Sequence, residues 1–86
     1  MSMFYAYILL CKDGSLYTGI TTDTARRLQE HKDGVGGRYT RAKGVVRLVY
    51  AEACENRSVA SKREAYIKRL SKPEKLLLIK NTPIQK

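Results

Sequence analysis

Two tyrosine motifs, Tyr5-Ala6-Tyr7 and Tyr17-Thr18-Gly19, flank one turn signal at Lys12-Asp13-Gly14-Ser15. Arg27 and His31 follow one helical turn apart, and Glu64 comes later. Phenols, a guanidinium, an imidazole and a carboxylate are the groups on which metal-assisted hydrolysis of a phosphodiester draws. At 100° per residue Arg27 and His31 fall within about 40° of each other on a helix, so both can face one site. Glu64 sits on the flank of an apolar stripe of Val59, Ala60, Ile67 and Leu70, roughly 100° from its centre. A carboxylate at such a boundary suits a hard cation, because Mg²⁺ prefers oxygen ligands and is commonly held by one or two carboxylates plus substrate phosphate.

Each residue taken singly has an ordinary reading. Tyr5, Tyr7 and Tyr17 fit as strand aromatics with hydroxyls at the solvent edge. Arg27 has Glu30 at i+3 as a surface partner, and Glu64 has Lys68 at i+4 in the favourable orientation. His31, the sole histidine, fits as a charge complement to a helix C-terminus. Lys62, Arg63, Lys68 and Arg69 fit as a solvated face. Only the order and spacing of the whole set are specific.

The elements that must carry these groups are legible in outline. Phe4 to Leu10 is β-branched and aromatic, with apolar side chains on both faces, which predicts a central strand covered on both sides. Leu16 to Ile20 is the next strand. With a two-residue loop at Asp13-Gly14, Tyr7 and Tyr17 would lie on opposite faces; with a three-residue loop, Lys12-Asp13-Gly14, Leu9 pairs with Tyr17 and both phenols share a face. The second register is preferred because Gly14 then fills the left-handed bulge position at no steric cost.

Thr21 to Thr24 offers N-caps for a helix over 25–32 that stops near Gly34, with Ala25 and Leu28 docking on the sheet. Asp33 to Lys43 reads as a basic loop, with Arg38, Tyr39, Arg41 and Lys43 as candidate contacts to a nucleic-acid backbone and Tyr39 able to stack on an unpaired base. Val45 to Ala53 reads as a third strand. Asn56-Arg57-Ser58 caps a helix over 59–70, and Ser71 caps a last helix opened by Lys72-Pro73-Glu74 and running through Ile79. The tail after Lys80 is expected to fray. The fold class is therefore α+β, a small three-stranded, mostly antiparallel sheet in the order β-β-α-β-α-α.

Composition bounds the function. The 86 residues make one domain, which at this size buries only about 60 to 65% of its unfolded surface. Seventeen Lys and Arg against eight Asp and Glu give a net charge of +9, which favours a polyanionic partner through phosphate neutralisation. Nucleic acid leads, ahead of an anionic membrane surface or simple solubility. Cys11 and Cys54 lack the neighbouring Cys or His of a tetrahedral zinc site. Met3 to Leu10 is too short to span a membrane and has neither a basic region before it nor a cleavage pattern after it. The expected setting is cytoplasmic, with reduced thiols.

The combined pattern resembles the GIY-YIG nuclease family. Tyr5-Ala6-Tyr7 stands where Gly-Ile-Tyr is usual, and Tyr17-Thr18-Gly19 matches the second motif. Arg27 and His31 match the helix pattern Arg-x-x-x-His, and Glu64 matches the metal-binding glutamate. The likeness covers about residues 4–80 and is closest to small stand-alone bacterial members related to Slx-type structure-specific endonuclease domains. It implies DNA cleavage dependent on Mg²⁺ or Mn²⁺. Glu64 would hold the metal, Tyr7 would help deprotonate the attacking water, and Arg27 would contact the phosphate. Tyr17 would orient water or phosphate, while His31 would assist proton transfer or place the substrate. The family often has a late asparagine that helps close the site, and here only Asn81 is available. The rival readings are a nucleic-acid-binding module that does not cut, and an adaptor docking through the Leu76 to Ile79 helix.

Overall fold

Asp13 organises the first turn. Its carboxylate accepts from the Ser15 amide at 3.0 Å and from the Ser15 hydroxyl at 2.6 Å, and Gly14 takes φ +86°, a conformation open to glycine at no steric cost. The Cys11 amide then bonds to the Ser15 carbonyl at 2.9 Å, closing the three-residue loop. The computed structural model describes residues 3–82, and the turn joins β1 (Phe4–Cys11) to β2 (Leu16–Thr21). Leu9 pairs with Tyr17 and Tyr7 with Gly19, the register that places both phenols on one face.

The chain continues through α1 (Thr24–Lys32), α2 (Arg38–Lys43), β3 (Val45–Cys54), α3 (Arg57–Arg69) and α4 (Lys72–Asn81). The three strands form an antiparallel sheet in the order β2-β1-β3, so the strand that is apolar on both faces is the central one. Ala6, Ile8, Val49 and Tyr50 meet Ile67 of α3, with Leu78 and Ile79 of α4 behind them. On the opposite face Tyr7, Leu9, Cys11 and Val45 pack with Tyr17, Leu28 and Leu48. β3 carries a bulge where the pairing steps from Ile8 with Tyr50 to Leu9 with Leu48; this local irregularity lets adjacent segments of one strand serve both layers.

Helix starts follow their caps. Asp23 accepts from the Arg26 amide and Asn56 from the Val59 amide. Ser71 and Glu74 form a reciprocal capping box ahead of Pro73 in the first turn of α4, an arrangement that satisfies two otherwise orphaned amides. α3 is also pinned from the side, since Arg63 bonds both carboxylate oxygens of Glu52 on β3, at 2.9 and 3.0 Å. Glu52 in turn accepts from the Tyr50 hydroxyl. That anchor sets the rotation of α3, and with it the direction of the neighbouring Glu64, about 100° round the helix.

Four expectations are corrected. The segment expected to be a loop over 33–43 contains the short helix α2, held by contacts to other elements. Ala25 is exposed, so α1 docks through Leu28 and the buried His31 instead. Val59 is exposed rather than part of the buried stripe, which narrows to Ala60 and Ile67. The helical backbone runs through Asn81 rather than fraying after Lys80, and residues 83–86 lie outside those described.

Candidate active site

Tyr7 lies at the centre of β1, 2% exposed, and its ring crosses β2 directly over Gly19. A Cβ at position 19 would sit 2.6 Å from the Tyr7 hydroxyl oxygen and 2.8 Å from Cζ. The glycine of Tyr-Thr-Gly is therefore the space in which the first motif's phenol lies. The phenol ends at His31 Nε2, 3.0 Å away. Tyr17, from the same face of β2, has its ring centroid 6.5 Å from that of Tyr7 and 5.2 Å from that of His31.

His31 is enclosed, 1% exposed. Its Nδ1 lies 2.6 Å from Thr40 Oγ1 of α2, and the backbone of Gly36 rests on the ring so closely that a Cβ there would come within 2.4 Å of Nδ1. Arg27 holds the same segment, donating from Nη2 to the Gly36 carbonyl at 2.9 Å and from Nη1 to Glu30 at 2.9 Å. The turn between α1 and α2 is thus folded onto the imidazole from outside. Such burial excludes the reading of His31 as a solvated charge at a helix end.

Burial pushes the Tyr7 phenol up to about 12. The nearby Arg27 guanidinium draws it back, while Tyr17 and the Glu64 carboxylate push it further up. At neutral pH Tyr7 is a protonated phenol. Burial, and then the charge of Arg27, lower the His31 pKa below its ordinary 6.5, so the imidazole is neutral. The sign of the resulting linkage follows directly. A histidine whose folded pKa lies below its unfolded value contributes stability that is complete above about 6.5 and is lost as pH falls from there through the folded value. The melting temperature should therefore drop as pH falls below about 6.5. His31→Gln should flatten that drop, since no other histidine is present; a wild-type profile flat across the window would contradict the buried, neutral imidazole.

Glu64 stands on α3, whose Ile67 packs against the Ala6 and Ile8 face of the sheet. Its side chain is 25% exposed and pairs with Lys68 at 3.4 Å, yet its charge also acts on the Tyr7 phenol, so the helix ion pair and the position beside the site coexist. Among the described residues no three His, Cys, Asp or Glu side chains gather as a ready-made metal cage. A single carboxylate does fit a hard cation that takes one protein oxygen and fills its other positions from substrate and water. Cys11 and Cys54 are buried free thiols.

The rim comes from α2. Tyr39 stacks on Tyr17 at 5.8 Å and 27°, and Lys43 lies over the Tyr39 ring while pairing with Asp13 at 2.9 Å. Arg38 and Arg41 are exposed. Asn81 is exposed at the end of α4. Tyr7, Tyr17 and His31 are in mutual contact, with Arg27 and Glu64 close enough to act on Tyr7. Sequence reasoning named Gly19 only as part of the second motif and did not single out Gly36 or Thr40. A glycine inside a strand does signal a close approach, whereas neither Gly36 nor Thr40 carries a local signal.

Comparison with known proteins places the family. The model of the GIY-YIG catalytic domain matches residues 3–77. A UPF0213 protein of Clostridium perfringens is 49% identical over 83 residues, covering 96% of this chain and 89% of that relative. A UPF0213 protein of Desulfotalea psychrophila is 54% identical over 78 residues, covering 90% of this chain and 71% of the relative. The solution NMR structure of a UPF0213 protein from Bacillus halodurans is similar with a TM-score of 0.58 at 45% identity, covering 91% of this chain and 83% of that one. That of an E. faecalis protein gives 0.59 at 43% identity, covering 91% and 84%. With its two tyrosine motifs, helix arginine and histidine, and α3 glutamate on one small antiparallel sheet, the chain belongs to the GIY-YIG catalytic-domain family.

Proposed function

We propose that this protein is a divalent-metal-dependent endonuclease that hydrolyses DNA phosphodiester bonds, selecting structure over sequence, and serves DNA repair or recombination in the cytoplasm. The observation that carries the reading is the buried Tyr7 hydroxyl bonded to His31 Nε2 at 3.0 Å, with Arg27 and Glu64 both acting on that phenol.

Arg27, half-buried and tethered to Gly36 and Glu30, contributes a fixed positive charge for the phosphate and for the charge that grows on its oxygens in the transition state. Tyr7 donates its hydrogen to His31, which leaves its oxygen lone pairs to accept from the attacking water and align it. Tyr17 borders the same space and orients water or phosphate. Glu64 is the residue that would hold Mg²⁺ or Mn²⁺, and the bound ion would supply Lewis-acid polarisation of the scissile phosphate. Arg38, Tyr39, Arg41 and Lys43 flank the site on α2 as contacts to the DNA backbone, with Tyr39 as a stacking surface.

The test is incubation of the purified protein with labelled single-stranded, nicked, flap and branched DNA in Mg²⁺, in Mn²⁺ and in EDTA. Products that require the metal and disappear in Glu64→Ala are expected. Binding unchanged by EDTA with no products on any substrate would instead support a module that binds nucleic acid without cutting, the reading favoured by the Glu64–Lys68 and Arg27–Glu30 ion pairs. Affinity should fall steeply as salt rises, because the net charge of +9 implies counterion release.

A further inference from the structure

Three hydrogen bonds run in series through the site and end outside it. Tyr7 Oη lies 3.0 Å from His31 Nε2, His31 Nδ1 lies 2.6 Å from Thr40 Oγ1, and Thr40 Oγ1 lies 3.4 Å from the carbonyl of Gly37. Thr40 is 1% exposed, so its hydroxyl has no solvent to turn to. The direction of the series follows from counting donors and acceptors. If Thr40 donates to Gly37, His31 donates from Nδ1 to Thr40 and Tyr7 donates to Nε2, and every hydrogen has an acceptor. The Gly37 carbonyl can only accept, so its contact with Thr40 fixes the hydroxyl as the donor there, Nδ1 as the donor to Thr40 and Tyr7 as the donor to Nε2.

We infer that Thr40 is a positioning residue: its hydroxyl, anchored on Gly37, holds His31 in the Nδ1-protonated tautomer, which keeps Nε2 free to accept from Tyr7 and turns the Tyr7 lone pairs toward the attacking water. This rests on the nuclease reading for its catalytic consequence, although the tautomer itself does not. The device also gives α2 a purpose. The short helix has no side-chain cap, and its place is set by the Lys12 amide bonding to the Gly44 carbonyl at 2.9 Å and by the Asp13–Lys43 pair. The hairpin turn therefore locates Thr40 beneath the imidazole.

The experiment is long-range ¹H–¹⁵N NMR of the imidazole in the full chain near pH 7.5, unambiguous because His31 is the sole histidine. The wild type should show a protonated Nδ1 and a bare Nε2. Thr40→Val, which keeps the shape and removes the hydroxyl, should shift the ring toward the other tautomer and lower kcat about 10- to 100-fold, the usual consequence of losing the partner that orients a site histidine, with KM for DNA unchanged. Thr40→Ser should restore both. Wild-type His31 protonated on Nε2, or a tautomer unmoved in Thr40→Val, would overturn the assignment, and the wild-type spectrum decides even if the valine variant does not fold. A correct tautomer with no cleavage of any DNA would count against the nuclease reading and leave the role of Thr40 in holding the ring intact.

Discussion

Tyr7→Phe is expected to lower the rate constant for DNA cleavage by about 10²- to 10⁴-fold, the range over which positioned proton-transfer groups act, while DNA affinity stays essentially unchanged. The phenylalanine ring fits the slot over Gly19 that the tyrosine ring occupies. What disappears is one oxygen, and with it the donor to His31 Nε2 and the acceptor that faces Arg27. On the proposed function the affinity would come from the basic surface, which the substitution leaves intact. The loss should therefore appear in kcat and not in KM. A stability cost of about 1–3 kcal/mol should accompany it, because a buried imidazole nitrogen loses its partner. Single-turnover cleavage with saturating enzyme separates the two effects, since the folded fraction is read independently by denaturant titration. Cleavage within a few-fold of wild type would show that the Tyr7 hydroxyl serves packing alone.

The phenol's unusual environment sharpens what such a result would mean. A group whose pKa is pushed up to about 12 is a weaker ground-state acid than an ordinary tyrosine, so Tyr7 does not wait as a phenolate. The site as it stands favours a neutral hydroxyl that hands its hydrogen to a neutral histidine. Any rise in the positive charge nearby, from substrate-bound metal or from Arg27 drawn closer, would lower the cost of removing the phenol's proton. The Arg27 guanidinium already acts in that direction. The burial that raises the pKa also keeps the imidazole bare, so one enclosure prepares both partners.

How much of this was legible in the chain depended on whether a local rule governed it. The shared face of Tyr7 and Tyr17 follows from side-chain alternation and one turn glycine, and Gly14 at φ +86° with Leu9 opposite Tyr17 is the register so derived. The approach of Arg27 and His31 to one site follows from helical periodicity, and the central place of β1 from its two apolar faces. α2 was not legible, because a six-residue helix behind Gly34, Gly36 and Gly37 has little intrinsic stability; bonds to His31, Lys12 and Asp13 hold it. Thr40 was hidden for the same reason. Ala25 misled because one small residue says little about the facing of a short amphipathic helix. Glu64 was found by its place at the edge of a stripe, but only the folded chain shows its charge acting on Tyr7.

Gly19→Ala is expected to be strongly damaging, although it adds a single methyl group to an extended strand. The new Cβ would stand 2.6 Å from the Tyr7 oxygen, 2.8 Å from Cζ and 3.2 Å from Cε2, distances at which something must move. The Tyr7 ring cannot yield cheaply, being buried between Leu9, Tyr17 and the imidazole. Either β2 shifts or the phenol leaves His31. Overpacking of this kind costs about 1–3 kcal/mol, partly offset by the roughly 0.5–1 kcal/mol that alanine gains over glycine in a strand. The activity should fall further than stability does, since about 1 Å of misplacement costs on the order of 10²-fold. Gly14→Ala is the contrasting case: its Cβ would meet only Lys72 Nζ at 3.7 Å, so its cost is the left-handed backbone alone, about 1–2 kcal/mol, with cleavage by the folded fraction unchanged. The cause at position 19 is isolated by repeating Gly19→Ala in a Tyr7→Leu background, where the opposing ring is gone and the added methyl should cost little. A destabilisation undiminished in that background would place the clash in the backbone of β2 instead, and the second motif's glycine would then answer to the strand rather than to the phenol.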